Sequence, residues 1–321
     1  MTSTGTDKAG VAGSNGSGNF SHNKVSVHLQ RKIREGLIRT FCAFCALISV
    51  VTTIAIVYIL FSQALPFFTH VDLKEFATGT EWKPTPEPGH FGILPLVTGT
   101  LMITVGAGLF AVPLGLLSAI YLAEYAKPKA KAILKPALEL LAGIPTVVYG
   151  YFGLFFVTPA LRNVFPQIQS SNALAGAIVV GIMILPLVSS LCEDAISSVP
   201  VALKEGAQGL GATKAETTMK IVVPAAFSGI VASFILALSR ALGETMAVTL
   251  AAGSNPILSL DPTKGIETMT AYMVSTSKGD IEVGTMKYMS IFAVGLVLFA
   301  FTFGMNMVAR KLVAKFKLNY Q

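Results

Sequence analysis

Six long windows without a single Asp, Glu, Lys or Arg limit what this chain can fold into: residues 40–71, 91–123, 140–161, 163–192, 221–239 and 288–309. A helix crosses the hydrocarbon core of a bilayer with about 20 apolar residues, each rising ~1.5 Å. Every window can therefore hold a span, the fifth by running on through Arg240 and Glu244 to about Gly253. Over 321 residues the chain is 53% hydrophobic and 13% charged, with a mean hydropathy of +0.66, which is too apolar for a soluble protein of this size. The expected fold is an all-α membrane protein with six transmembrane helices.

The placement of Lys and Arg predicts the orientation. Lys24, Arg31, Lys32, Arg34 and Arg39 precede the first span. Lys127, Lys129, Lys131 and Lys135 fill the loop between spans two and three; Lys204, Lys214 and Lys220 lie between four and five, and Arg310, Lys311, Lys315 and Lys317 follow six. The alternate loops are balanced or acidic, so both termini and the segment 199–224 are expected in the cytoplasm. Residues 1–30 form a Gly/Ser-rich tail that cannot bury a core and is expected to be disordered; residues 31–321 form the transmembrane domain. No signal-peptide layout is present, so the first span is expected to stay as an anchor. The surplus of seven positive charges flanks the spans and suits anionic lipid. No basic–aromatic platform for nucleic acid accompanies it.

Other chemistry finds little support. Cys42 and Cys45 form a C-x-x-C at the start of an apolar helix with no second ligand pair, and read with Cys192 as packing residues. All four histidines lie outside the expected spans, which leaves an intramembrane hydrolase without a catalytic set. Trp82, in a Pro-rich external loop, reads as a packing residue. Pro113, Pro145 and Pro186 fall inside spans two, three and four, where each permits a kink. Glu124 and Glu139, at the inner ends of spans two and three, read as structural.

The cytoplasmic segment carries the most specific pattern. Glu205, Gly206 and Ala207 are followed after three residues by Gly211, then after nine by Ile221, Val222, Val223 and Pro224. A short helix over about 201–210 closing at Gly211 and a second over about 214–221 leading to Pro224 are expected. The spacing resembles the E-A-A-x(3)-G-x(9)-I-x-L-P signature of permease subunits of bacterial ABC importers, with Gly206 for the first Ala and Val223 for the Leu. The resemblance implies the type I importer fold, and it implies that Glu205, Gly206, Ala207, Gly211, Ile221 and Pro224 dock an ATPase. No G-x-x-x-x-G-K-[ST] loop is present. The chain is expected to have no catalytic site and no cofactor of its own, with ATP and Mg held by the separate ATPase subunit.

Span five adds the substrate clue. Arg240 and Glu244 lie one turn apart inside an apolar run, where ionisable groups mark pathways by default. Counted from Pro224 along a continuous helix, Arg240 lies ~24 Å deep, near the midplane. Arg offers a planar, permanently charged fork for phosphate oxygens. Glu244 on the same face is expected to hold it at rest with a Coulomb attraction of roughly 4 kcal/mol at about 4 Å, and to repel sulfate while accepting phosphate's proton. Ser239 and Thr245 can add neutral hydrogen bonds or simply bond their own backbone. Arg240-Ala-Leu-Gly-Glu-Thr-Met-Ala-Val, with Glu139-Leu-Leu-Ala-Gly-Ile-Pro-Thr-Val-Val-Tyr-Gly, resembles the PstC-type permease of the phosphate-specific ABC importer. That resemblance implies a bacterial inner-membrane location and a PstA-type sibling permease as heterodimer partner. It also implies two ATPase subunits and an extracytoplasmic phosphate-binding protein. A sulfate or molybdate permease, or a non-transporting scaffold for phosphate signalling, stand as alternatives.

Overall fold

The computed structural model describes residues 19–85, 89–279 and 281–316, with side chains described from 34 to 314. Residues 1–18 of the expected tail lie outside the described residues; from Asn19 the backbone is already helical, so the expected boundary at residue 30 moves toward the N-terminus. The first helix, α1, runs Asn19–His70. Its N-terminal unit, up to Ile59, exposes Leu37, Phe41, Phe44, Ile48 and Ile54, an apolar surface for acyl chains to cover.

The second unit begins at Leu60 and contains the rest. The end of α1 is followed by α2 (Leu73–Thr78) and an antiparallel pair, β1 (Trp82–Lys83) and β2 (His90–Phe91), in which Trp82 faces Phe91. Trp82 is fully buried and sets its ring edge-to-face against Tyr272 at 4.9 Å and Phe91 at 5.9 Å between centroids. The expected packing role holds, and the loop forms a small aromatic core with Phe67 and Phe76.

Among the described residues four helices are long and apolar enough to cross a membrane, or up to six if two bent pairs each count as one span. The long ones are α1, α3 (Leu94–Ile120, continued by a π-turn to Tyr125), α7 (Ala173–Ser197) and α14 (Met286–Phe316). The first bent pair joins α4 (Pro128–Ala142) to α5 (Thr146–Phe152) and α6 (Thr158–Arg162) at 90°. The expected span three is thus broken at Gly143–Pro145, and the lysines assigned to a loop ride on helix α4. Pro145 sits at the break, as the cap of α5, instead of kinking a helix interior.

Helix α7 is the buried axis of the bundle. It packs along α3, where a Cβ on Gly115 would come within 2.6 Å of Val188 Cγ1, so the two backbones approach through a small residue. Ser189 Oγ donates to Ser118 Oγ across the same contact at 3.1 Å. At its N-terminus Asn172 accepts from the Ala175 amide at 2.7 Å, and the carbonyls of Lys264 and Pro262 accept from Ala173 and Leu174 at 2.9 and 2.8 Å. The donors that a helix start leaves orphaned are thereby paired, which fixes the connection 252–268 against the bundle.

The segment 199–224 holds α8 (Val201–Gly209), α9 (Lys214–Thr217), a π-turn over Thr218–Val222 and α10 (Val223–Ala225). Gly211 has φ +91, as expected, and the Ala212 amide reaches back to Ala207 O at 3.1 Å. That pair of features is a Schellman closure, which glycine adopts without a Cβ penalty. Span five follows, bent 68° between Ala225 and α11 (Phe227–Leu242), and then come α12 (Met246–Ala251) and α13 (Met269–Ser277).

Two measurements probe the layer formed by residues 71–93 and the 252–268 connection. Trp82→Ala should cost about 3–5 kcal/mol of stability, the price of a large buried cavity, read as a lowered melting temperature in detergent. Glu267, in the 252–268 connection, is almost fully buried beside Ser275, whose Oγ donates to Oε1 at 3.2 Å; burial pushes its carboxyl up to about 7. The protonated acid is the form the fold prefers. Its contribution is complete below the ordinary value of 4.5 and is lost as pH rises through about 7. Glu267→Gln should flatten the fall in melting temperature between roughly pH 5 and 8.

Candidate functional site

A cavity of about 380 Å³ opens where α4, α7 and α11 diverge, with Lys135, Glu139, Pro186, Ser190, Glu193 and Arg240 among its lining residues. The bends make it: α4 turns away from α5 at Gly143, and α11 starts afresh at Phe227. Its depth can be judged along the helices. Arg240 stands 13 residues past Phe227, ~20 Å at 1.5 Å per residue. The ~24 Å counted from Pro224 is too long, because the helix is broken at Ala226. Met183, also on the wall, stands 14 residues before Ser197, ~21 Å. Arg240 therefore enters near mid-span, while Glu193 marks the end next to segment 199–224.

The expected Arg240–Glu244 pair is not formed. Helix α11 stops at Leu242, Gly243 turns, and α12 begins at Met246, so no continuous helical face carries both groups. Glu244 is buried and accepts from the Ala247 amide at 3.3 Å, closing the first turn of α12, while its carbonyl accepts from Thr270 Oγ1 at 2.8 Å. A carboxylate at a helix start is favoured by the free amides there, and this local bond outcompetes a guanidinium one turn away. Among the described residues no ion pair engages Arg240, which is exposed to the cavity. Thr245 takes the local option, with Oγ1 donating to Gly243 O at 3.2 Å. Ser239 Oγ is buried without a partner among the described residues.

A second cluster was missed. Glu193, nearly fully buried in α7, receives Lys131 Nζ on Oε1 and Lys135 Nζ on Oε2, each at 2.6 Å. A buried carboxylate needs such partners to stay ionised. The two lysines lie one turn apart on α4, so one face of that helix supplies both. The i, i+4 spacing was visible in the sequence; Glu193 was not, because it follows the charge-free window by one residue.

The segment 199–224 sits at the same end. Glu205, Gly206, Gly211, Ile221 and Pro224 are exposed and Ala207 half-buried; a Cβ on Gly206 would meet nothing within 4 Å. Two cations tie this segment back to the π-turn that ends α3: Lys204 Nζ reaches Glu124 Oε1 at 2.6 Å, and Lys214 stands 5.1 Å over the Tyr125 ring. The structural reading of Glu124 holds. Glu139, by contrast, faces the cavity.

Comparison with known proteins places this geometry. A family described as "Binding-protein-dependent transport system inner membrane component" matches residues 111–317. The probable ABC transporter permease protein YqgH of Bacillus subtilis (strain 168) is 34% identical over 300 residues, 93% of this chain and 97% of that one. The phosphate transport system permease protein PstC of Mesorhizobium japonicum is 36% identical over 262 residues, covering 75% and 78%. Among solved structures, a bacterial alginate ABC transporter matches with a TM-score of 0.59 at 15% identity, covering 87% of this chain and 97% of that one. The MetNI methionine ABC transporter, in inward-facing conformations, matches at 0.55 and 18%, covering 70% and 96%. The fold is that of type I importer permeases. Broken apolar spans, the exposed small-residue helix at their end and the match over most of the chain have one reading: this chain belongs to the inner-membrane permease components of binding-protein-dependent ABC transport systems.

Proposed function

We propose that this chain is a membrane subunit of an ATP-driven phosphate importer and supplies half of its translocation pathway. Arg240 carries the reading: a permanent cation at mid-span, exposed to a cavity and bound to no carboxylate among the described residues, is costly in a membrane unless an anion visits it. The relatives called PstC favour phosphate as that anion. Ser239, next to Arg240 in the chain, keeps a buried hydroxyl without a partner among the described residues and is a neutral donor in reserve; Glu244 and Thr245 shape the break that leaves the arginine free. In this reading both termini face the cytoplasm, and a PstA-type permease completes the pore. A binding protein delivers phosphate from outside, and two ATPase subunits hold ATP and Mg. Catalysis then belongs to the ATPase alone.

Helix α8 is the ATPase contact in this scheme. Its exposed Glu205 and Gly206, with Leu210 93% exposed just past its end, form a surface that the chain itself leaves uncovered.

Two experiments test these assignments. In proteoliposomes holding the whole transporter, Arg240→Gln should cut ATP-driven phosphate uptake by about tenfold or more, the worth of a charge-assisted bond. Unchanged uptake would remove Arg240 from the pathway, and sulfate uptake in place of phosphate would reassign the substrate. Gly206→Leu adds a side chain into open space and improves helix propensity, so the subunit should fold as before yet lose copurification with its ATPase. Retained ATPase and full uptake would mean that α8 docks elsewhere or not at all.

A further inference from the structure

We propose that Lys135, held in place by Glu193, which Lys131 also grips, forms a second oxyanion station in the same cavity as Arg240, at the end through which the anion leaves. The inference rests on the transport reading above and adds a site to it.

Geometry carries the argument. The cavity wall on α7 runs from Met183 past Pro186 and Ser190 to Glu193, ten residues or ~15 Å along the helix. One cation stands near its mid-span end and another at the end next to segment 199–224. A tetrahedral oxyanion released by Arg240 thus has a polar landing point before it reaches water. Without one it would have to cross the apolar stretch between Met183 and Leu187 with nothing but its own hydration.

The lysines are equipped for this. Each ammonium has three N–H donors, and the 2.6 Å bonds to Glu193 use one apiece. The side chains are 37% and 40% exposed, so the remaining donors are accessible. Glu193 is the positioning residue. Both its oxygens are occupied by lysines, which fixes where the ammoniums stand and neutralises one of the two charges. Across the cluster, Lys131, Lys135 and Arg240 are matched by Glu193, Glu139 and Asp194, the last of which also acts on Lys135, so what an anion would meet here is the lysine donors that Glu193 leaves unused rather than a surplus of positive charge. A flexible point charge suits brief occupancy: Lys binds phosphate without the bidentate fork that makes Arg hold it. Ser190, on the wall between the two ends, offers a hydroxyl.

A clamp that merely fastens α4 to α7 would use the same bonds, so the test separates the roles. The complete transporter, with its ATPase and binding protein, is reconstituted in proteoliposomes, and the maximal rate of inorganic phosphate uptake is measured. Lys135→Gln should lower it about tenfold, Lys135→Arg should retain most of it, and the Glu193→Gln/Lys135→Gln pair should stay as low as the single variant. The double variant leaves no orphaned carboxylate, so it is scored even where the single one fails to assemble. If the double variant regains the parental rate, the lysine only neutralises Glu193 and the station does not exist. A parental rate in Lys135→Gln alongside a dead Arg240→Gln overturns the station while leaving the transport reading intact. A parental complex that moves no phosphate overturns both.

Discussion

Inside a hydrocarbon slab a backbone N–H or C=O has no water to turn to, so a spanning helix can be interrupted only where its freed groups find partners or line an aqueous space. The functional geometry of this chain depends on how it meets that demand at three interruptions. At Gly143–Pro145 the last turn tightens, with the Gly143 amide reaching the carbonyls of Glu139 and Leu140 and that of Ile144 reaching Leu141. At Ala226 the amide bonds back to Val222, past a proline that has no donor to lose. At Gly243–Thr245 the Glu244 side chain and the Thr270 hydroxyl do the pairing. The first two solutions are local and the third borrows a hydroxyl from α13; together they spread α4, α7 and α11 far enough apart to leave a cavity.

Two of the buried carboxylates, Glu193 and Glu244, illustrate different answers to one cost. Glu193 keeps its charge by collecting two ammoniums from another helix. Glu244 gives its oxygen to the helix that it starts. Only the second answer leaves an arginine unclaimed, and an unclaimed arginine is the useful one. Had α11 continued for one more turn, Glu244 would have faced Arg240 and the cation would have been spent inside the protein. The helix break therefore acts as an electrostatic device, since it separates two charges that a regular helix would join.

How far the sequence discloses this follows from what each signal measures. Hydropathy counts apolar length, so the candidate spans were readable, as was the packing role of Trp82. The shape of segment 199–224 was readable nearly residue by residue because its closure depends on one backbone angle that glycine alone adopts freely, and Gly211 adopts it. Hydropathy has no sense of direction, however. The runs through Leu140-Leu141-Ala142-Gly143 and Ala241-Leu242-Gly243-Glu244 look the same whether the helix goes on or turns, and tertiary partners such as Thr270 decide. Glu193 was missed for a related reason: its lysines lie 58 and 62 residues earlier, in a stretch that charge counting assigns to a loop.

One further link joins the cavity to the exposed end. The segment 199–224 is tied to the π-turn over Tyr121–Tyr125 by the Lys204–Glu124 pair, whose side chains are largely shielded from solvent, and by Lys214 over Tyr125. That π-turn is the continuation of α3, which runs the length of α7, and Leu122 within it lines the cavity. A π-turn carries one residue more than an α-turn, and such turns recur at functional sites within helices. The exposed segment and the cavity wall are thus joined through one ion pair and one ring contact, both of which end on the same turn.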